Sequence, residues 1–102
     1  MPDPRFEPRS YLREPGRFGR DPEAQLVSAM SFSAGQLDQW GAARIQHRLA
    51  CSMRAEIARR FRSVGTYAAA SGQSPERLGR LLRGEVVMRL EDVANARRHL
   101  GV

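Results

Sequence analysis

Lysine is absent from this sequence and cysteine occurs once. Cys51 alone cannot close an intramolecular disulfide, so packing must hold the fold together, as suits a reducing cytoplasm. No apolar run approaches the roughly 20 residues that span a bilayer, and the N-terminus lacks the apolar core of a signal peptide, so no membrane partner is expected. Strand-like alternation and internal repeats are missing as well. So are the constellations of catalysis: there is no phosphate-cradling glycine loop and no nucleophile set. Glu91 and Asp92 are adjacent and face different ways, which suits helix-end charges better than an acid/base pair. His47 and Cys51 stand one helical turn apart, but His99 is the only other histidine and no CxxC occurs, so the pair lacks third and fourth ligands of comparable quality. An enzyme, a cofactor and a metal site are therefore not expected.

What is present is positive charge. The chain carries a formal +6 with a pI near 11.2, and all seventeen basic residues are arginine. Residues 1–35 hold five arginines against five acids, whereas residues 36–102 hold twelve against six and carry the whole excess. Such a balance implies an anionic partner, with nucleic acid first and an acidic membrane surface or acidic protein second.

Residues 1–20 contain Pro2, Pro4, Pro8 and Pro15 with Gly16 and Gly19, and no apolar period, which predicts a disordered Pro/Arg-rich arm. Phe6, Tyr11 and Phe18 alternate there with arginines, a pattern able to lie along nucleic acid or to dock on a protein. Asp21, Pro22 and Glu23 form a helix-start signature ahead of Leu26, Val27, Ala29 and Met30, predicting a helix over 22–30. Ser33 and Gln36 form a capping box. From there Leu37, Gly41, Ile45, Leu49, Met53, Ile57 and Phe61 recur every fourth residue, predicting a long amphipathic helix over 36–61 whose apolar stripe drifts by about 40° per step. Its first part, with Leu37, Trp40 and Ile45, is either intramolecular cover under helix 22–30 or a dimer or partner surface.

The most informative stretch is Tyr67 to Arg83. Ser63 caps a small-residue helix that ends in Ser71, and Gly72 supplies the left-handed backbone that stops it. Ser74 is a good N-cap, Pro75 suits the first helical position, and Glu76 complements the dipole of a helix over 75–83. Leu78, Leu81 and Leu82 share one face of that helix, while Glu76, Arg80 and Arg83 point away. Past Gly84 a further helix runs over 90–100, with Glu91 and Asp92 in its first turn, Arg97, Arg98 and His99 in its last, and Gly101 as its stop.

Ala68, Gly72, Leu78, Leu81, Gly84 and the closing Leu-Gly-Val together resemble the helix-turn-helix of the lambda-repressor-like, Cro-type (XRE) family, over roughly residues 49–102. Ser71, Gln73 and Val64 depart from the family's usual residues. The resemblance implies an all-α, helix-turn-helix bundle of about five helices with a flexible N-terminal arm. Its parts would be an arm over 1–20, a helical extension over 21–48 and the DNA-binding domain over 49–102. It implies a sequence-specific regulator of transcription, a repressor, in the cytoplasm at the nucleoid, with double-stranded DNA as partner. By position in the motif, Glu76 and Arg80 would meet base edges, arginine favouring guanine and glutamate favouring cytosine. Thr66, Ser74, Arg77, Arg83 and Arg89 would meet phosphates. Larger family members carry a further domain after this point, so homodimer or protein-partner contacts are expected from residues 1–48. Two alternatives stay open: an antitoxin that also represses its own operon, and a protein-interaction module with a degenerate motif.

Overall fold

A computed structural model describes residues 6–102, and its longest element begins where the reciprocal cap stands. Ser33 Oγ accepts the Gln36 amide at 3.2 Å, and Gln36 Oε1 accepts the Ser33 amide at 2.8 Å. Two otherwise orphaned donors are satisfied, and helix α1 then runs from Ala34 to Arg60. Its buried face is Ala43, Gln46, His47, Ala50, Met53 and Ile57. The strict every-fourth stripe therefore matches only at Met53 and Ile57. Steps of four rotate off a straight helix's packed face, and the chain stays on it by mixing steps of three and four. Ile45 is left 68% exposed, and the polar pair Gln46 and His47 lies inside instead.

Three shorter helices follow. Ser63 Oγ accepts the Thr66 amide and starts α2, Val64–Ser71, which Gly72 stops at φ +70°. Ser74 Oγ accepts the Arg77 amide and starts α3, Pro75–Arg83, which Gly84 stops at φ +73°. Helix α4, Leu90–Leu100, has Asp92 Oδ2 accepting the Arg89 amide at its start and Gly101 at its end. The two glycines of the central pair serve different ends. A Cβ on Gly72 would meet nothing within 4 Å, whereas on Gly84 it would stand 2.6 Å from the Phe18 ring. Gly72 is needed for its backbone angle, Gly84 also for close approach.

The core joins Met53 and Ile57 of α1, Tyr67 and Ala68 of α2, Leu78, Leu81 and Leu82 of α3, and Ala96 and Leu100 of α4. Leu12 and Phe18 belong to it as well. This corrects the expectation of a disordered arm. Residues 1–5 of that arm lie outside the described residues, but the rest forms two short 3-10 turns: Pro8–Tyr11, laid against α1, and Pro15–Arg17, packed on the first turn. Apolar side chains too widely spaced for any helical or strand period are buried here by tertiary contact. Full burial of Phe18 is worth on the order of 1.5–3 kcal/mol.

The architecture is all-α, with four α-helices among the described residues rather than five. The expected helix over 22–30 does not form. Asp21 Oδ1 accepts the Glu23 amide at 2.9 Å and the Ala24 amide bonds Asp21 O, making a single turn. Beyond it the backbone groups are taken from across the chain: Arg13 donates to Gln25 O, Val27 donates to Tyr11 O, and Leu12 and Leu26 form an antiparallel bridge. Those bonds hold residues 25–27 extended, so the cap signature has no helix to propagate.

Candidate nucleic-acid interface

Helix α3 turns its apolar side inward. Leu78, Leu81 and Leu82 are buried, while Glu76, Arg80 and Arg83, spaced by four and three residues, are exposed. At about 1.5 Å per residue this nine-residue helix is roughly 13 Å long.

The helix is fixed at both ends and along its back. At the start, Arg77 makes a bidentate pair with Asp92 of α4, Nη1 to Oδ1 at 2.7 Å and Nη2 to Oδ2 at 2.8 Å. Burial alone would raise the Asp92 carboxyl; the Arg77 fork and the Arg89 amide outweigh it and hold the carboxyl below its ordinary range. At the end, the buried Gln46 of α1 donates through Nε2 to Leu81 O and Val86 O, and its Oε1 accepts the Met88 amide at 2.9 Å. Phe18 packs on Gly84, and the Arg9 amide donates to Gly84 O at 2.9 Å. Helices α1 and α4 and the N-terminal segment thus determine how the outer face of α3 is held.

The turn between α2 and α3 is built from polar groups. Gln73 Nε2 donates to Ser71 Oγ and to Asn95 Oδ1, which also accepts the Tyr67 hydroxyl at 3.0 Å. Ser71 donates back to Tyr67 O. Where Ser71 and Gln73 depart from an apolar turn, hydrogen bonds to α4 and α2 take the place of packing.

The residues expected at bases, Glu76 and Arg80, are both exposed on α3. Those expected at phosphates divide. Arg83 pairs through Nε with Glu85, whose carboxyl is held low first by Arg83 and then by the charges of Arg9 and Arg80. Arg89 is exposed at the N-cap of α4, and Thr66 and Ser74 stand in the first turn and at the cap of their helices. Arg77 departs from its expected role, because its guanidinium fork is spent on Asp92.

Of the expected partner surface, Leu37 is 45% and Ile45 68% exposed. Trp40 is half-buried, and its indole N–H donates to Val27 O at 3.0 Å, so the non-helical segment around Val27 meets it there. Ile45 and Leu49 of α1 line a shallow groove with Val93, Arg97 and Val102.

His47 holds the N-terminal segment. Its Nδ1 accepts the Gly19 amide at 2.9 Å, which places the proton on Nε2, 3.0 Å from Asp21 O. Burial lowers its basicity. Cys51 Sγ lies 3.9 to 4.0 Å from the same ring, and burial raises its thiol. Among the described residues no group of three or more His, Cys, Asp or Glu is placed to hold a metal ion, and no helix is long and apolar enough to cross a membrane.

Sequence reasoning missed Gln46, because a polar residue in an amphipathic helix is read as outward-facing. Its spacing from Ala43 and Ala50, three before and four after, is the signal that could have found it.

No protein-family model, curated protein or solved structure matches this chain.

Proposed function

We propose that this protein is a sequence-specific double-stranded DNA-binding regulator of transcription, a repressor, which reads the major groove with α3 of a helix-turn-helix formed by α2 and α3. The observation that carries it is the outer face of α3: Glu76, Arg80 and Arg83 exposed on a helix whose opposite face and both ends are fixed to the rest of the fold. A helix roughly 13 Å long fits a major groove about 12 Å wide. The charge excess of residues 36–102 supplies the long-range attraction to phosphates. Arg80 pairs with guanine O6 and N7, Glu76 accepts from cytosine N4, and Arg83, Arg89, Thr66 and Ser74 set the register on the backbone. Two copies act together on a two-fold site, joined through the exposed α1 face that includes Leu37 and Ile45. No catalytic step is part of this function.

The test is a salt titration of binding to random duplex and to the DNA upstream of the protein's own gene, for wild type and Arg80→Ala. A preference for the upstream DNA of about a thousandfold or more is expected, of which Arg80→Ala should lose about 1–3 kcal/mol. Weak, sequence-blind binding that Arg80→Ala leaves unchanged would sink the proposal.

The groove of Ile45, Leu49 and Val93 favours a second reading, a protein-interaction module of the kind an antitoxin uses to hold its toxin. Stoichiometric co-purification of a small protein, lost on Ile45→Asp, would decide for it.

A further inference from the structure

At one point the N-terminal segment, α1 and α3 come within backbone contact. A Cβ on Gly19 would lie 2.1 Å from the Leu82 carbonyl oxygen and 3.0 Å from Ala50 Cβ. Three arginines flank this junction along the chain: Arg20 follows Gly19, Arg83 follows Leu82, and Arg54 stands one turn beyond Ala50 on α1. Arg54 is half-buried, and its Nε is buried with no hydrogen-bond partner among the described residues. Burial first, then Arg20 and Arg83, disfavours its charged form.

The neighbouring acids are otherwise engaged. Asp21 takes the Arg17 guanidinium on Oδ2 and the Glu23 amide on Oδ1. Glu85 takes Arg83 through Nε, while the Nη groups of Arg83 lie over Gly79 of α3. A partly desolvated guanidinium beside two like charges is an unfavourable arrangement for the protein alone, and an anion entering among them would relieve it. Planar forks with several donors match the oxygens of a phosphate, which accepts from more than one arginine at once.

We propose that Arg20, Arg54 and Arg83 form a phosphate-binding site at the junction of the N-terminal segment, α1 and α3. The phosphate is a phosphodiester of the duplex beside the C-terminal end of α3, an assignment that rests on the DNA-binding function proposed above. Arg54 is the centre of the site, and Arg20, carried by the segment that Phe18 and His47 pin in place, makes that segment part of the nucleic-acid interface.

The test compares wild type, Arg54→Gln and Arg20→Gln in two measurements on the full chain. In the first, each variant binds specific and random duplex across a range of salt. Each should bind both duplexes roughly tenfold more weakly, since a charge-assisted hydrogen bond is lost. The slope of log affinity against log salt should fall by about one, because one fewer counterion is released. In the second, thermal melting is followed with inorganic phosphate against chloride at equal ionic strength. Wild type should gain more from phosphate than either variant, whose remaining gain is the general effect of an excluded salt. If both variants keep the wild-type affinity and slope while Arg80→Ala still lowers sequence preference, the site is overturned and the regulator stands. If no duplex binds but phosphate stabilises wild type alone, the site stands with free phosphate as its ligand, and the DNA reading is what fails. If neither measurement separates the variants from wild type, the site is overturned.

Discussion

Residues 6–32 and residues 33–102 were built by different means. In the second region local chemistry and tertiary packing agree. Ser33, Ser63 and Ser74 each cap a helix, Gly72, Gly84 and Gly101 each end one, and the leucines of α3 fall inward. In the first region local chemistry is nearly silent: it makes two 3-10 turns and one bridge within the segment, and its scattered apolar side chains Leu12 and Phe18 are buried by joining the core of the helices. Proline and glycine content therefore marks a segment unable to make long helices, and does not by itself mark one that stays unfolded. The composition that suits a flexible arm also suits a strap that must follow an irregular surface.

The sharpest way to break this comparison is to ask whether the strap belongs to the fold. Phe18 is 1% exposed and lies on Gly84. Phe18→Ala should cost about 3–5 kcal/mol, the usual loss for emptying a buried aromatic site, measured as a drop in the denaturant midpoint at unchanged slope. A loss under about 1 kcal/mol would mean that residues 34–102 carry the stability alone.

A second prediction separates structure from recognition within α3. Arg77 and Arg83 are both arginines of the same helix, but Arg77 is locked to Asp92, whose side chain is only 11% exposed. Arg77→Ala leaves that carboxylate with one amide donor and should cost about 1–2 kcal/mol of stability. It should leave the salt dependence of DNA binding as in wild type. A slope reduced by about one would show instead that Arg77 exchanges Asp92 for a phosphate on binding.

These cases show which part of the molecule can be read from the chain. Caps and turn glycines act within a few residues, so α2, α3 and α4 were legible almost to the residue, as were the outward positions of Glu76 and Arg80. Arg77 was not, because its partner lies 15 residues away in another helix, and an arginine at the edge of a polar face looks the same whether it meets carboxylate or phosphate. The capping signature at Asp21–Glu23 misled for the opposite reason. It made its local turn faithfully, but Tyr11 and Arg13 captured the backbone of residues 25–27, which no pattern within 22–30 reveals. Gln46 and His47 were hidden by their polarity, although each spends its hydrogen-bonding atoms on the backbone of a neighbouring segment.

The smallest expected effect concerns the hinge between the two regions. His47 is buried on α1 and neutral, accepting the Gly19 amide on Nδ1, and its folded-state basicity is lowered by burial. Asp21 opposes that shift and Arg48 adds to it, while the nearby Cys51 thiol stays protonated. Because the shift is downward, the unfolded chain takes up a proton first as the pH falls below about 6.5, the ordinary histidine value. The stability contributed by neutral His47 is therefore complete above that pH and lost progressively as the pH drops through the folded-state value. Protonation would also set an N–H on Nδ1 against the Gly19 N–H, two donors facing each other, so the loss should begin in the strap. Amide hydrogen exchange between pH 7.5 and 5 should show Gly19 and its neighbours losing protection relative to the cores of α1 and α3, after correction for the intrinsic pH dependence of exchange. In His47→Gln this selective loss should disappear. Uniform loss across all four helices would place the linkage in the whole fold, and the strap would then be an integral part of the same cooperative unit as α1 to α4.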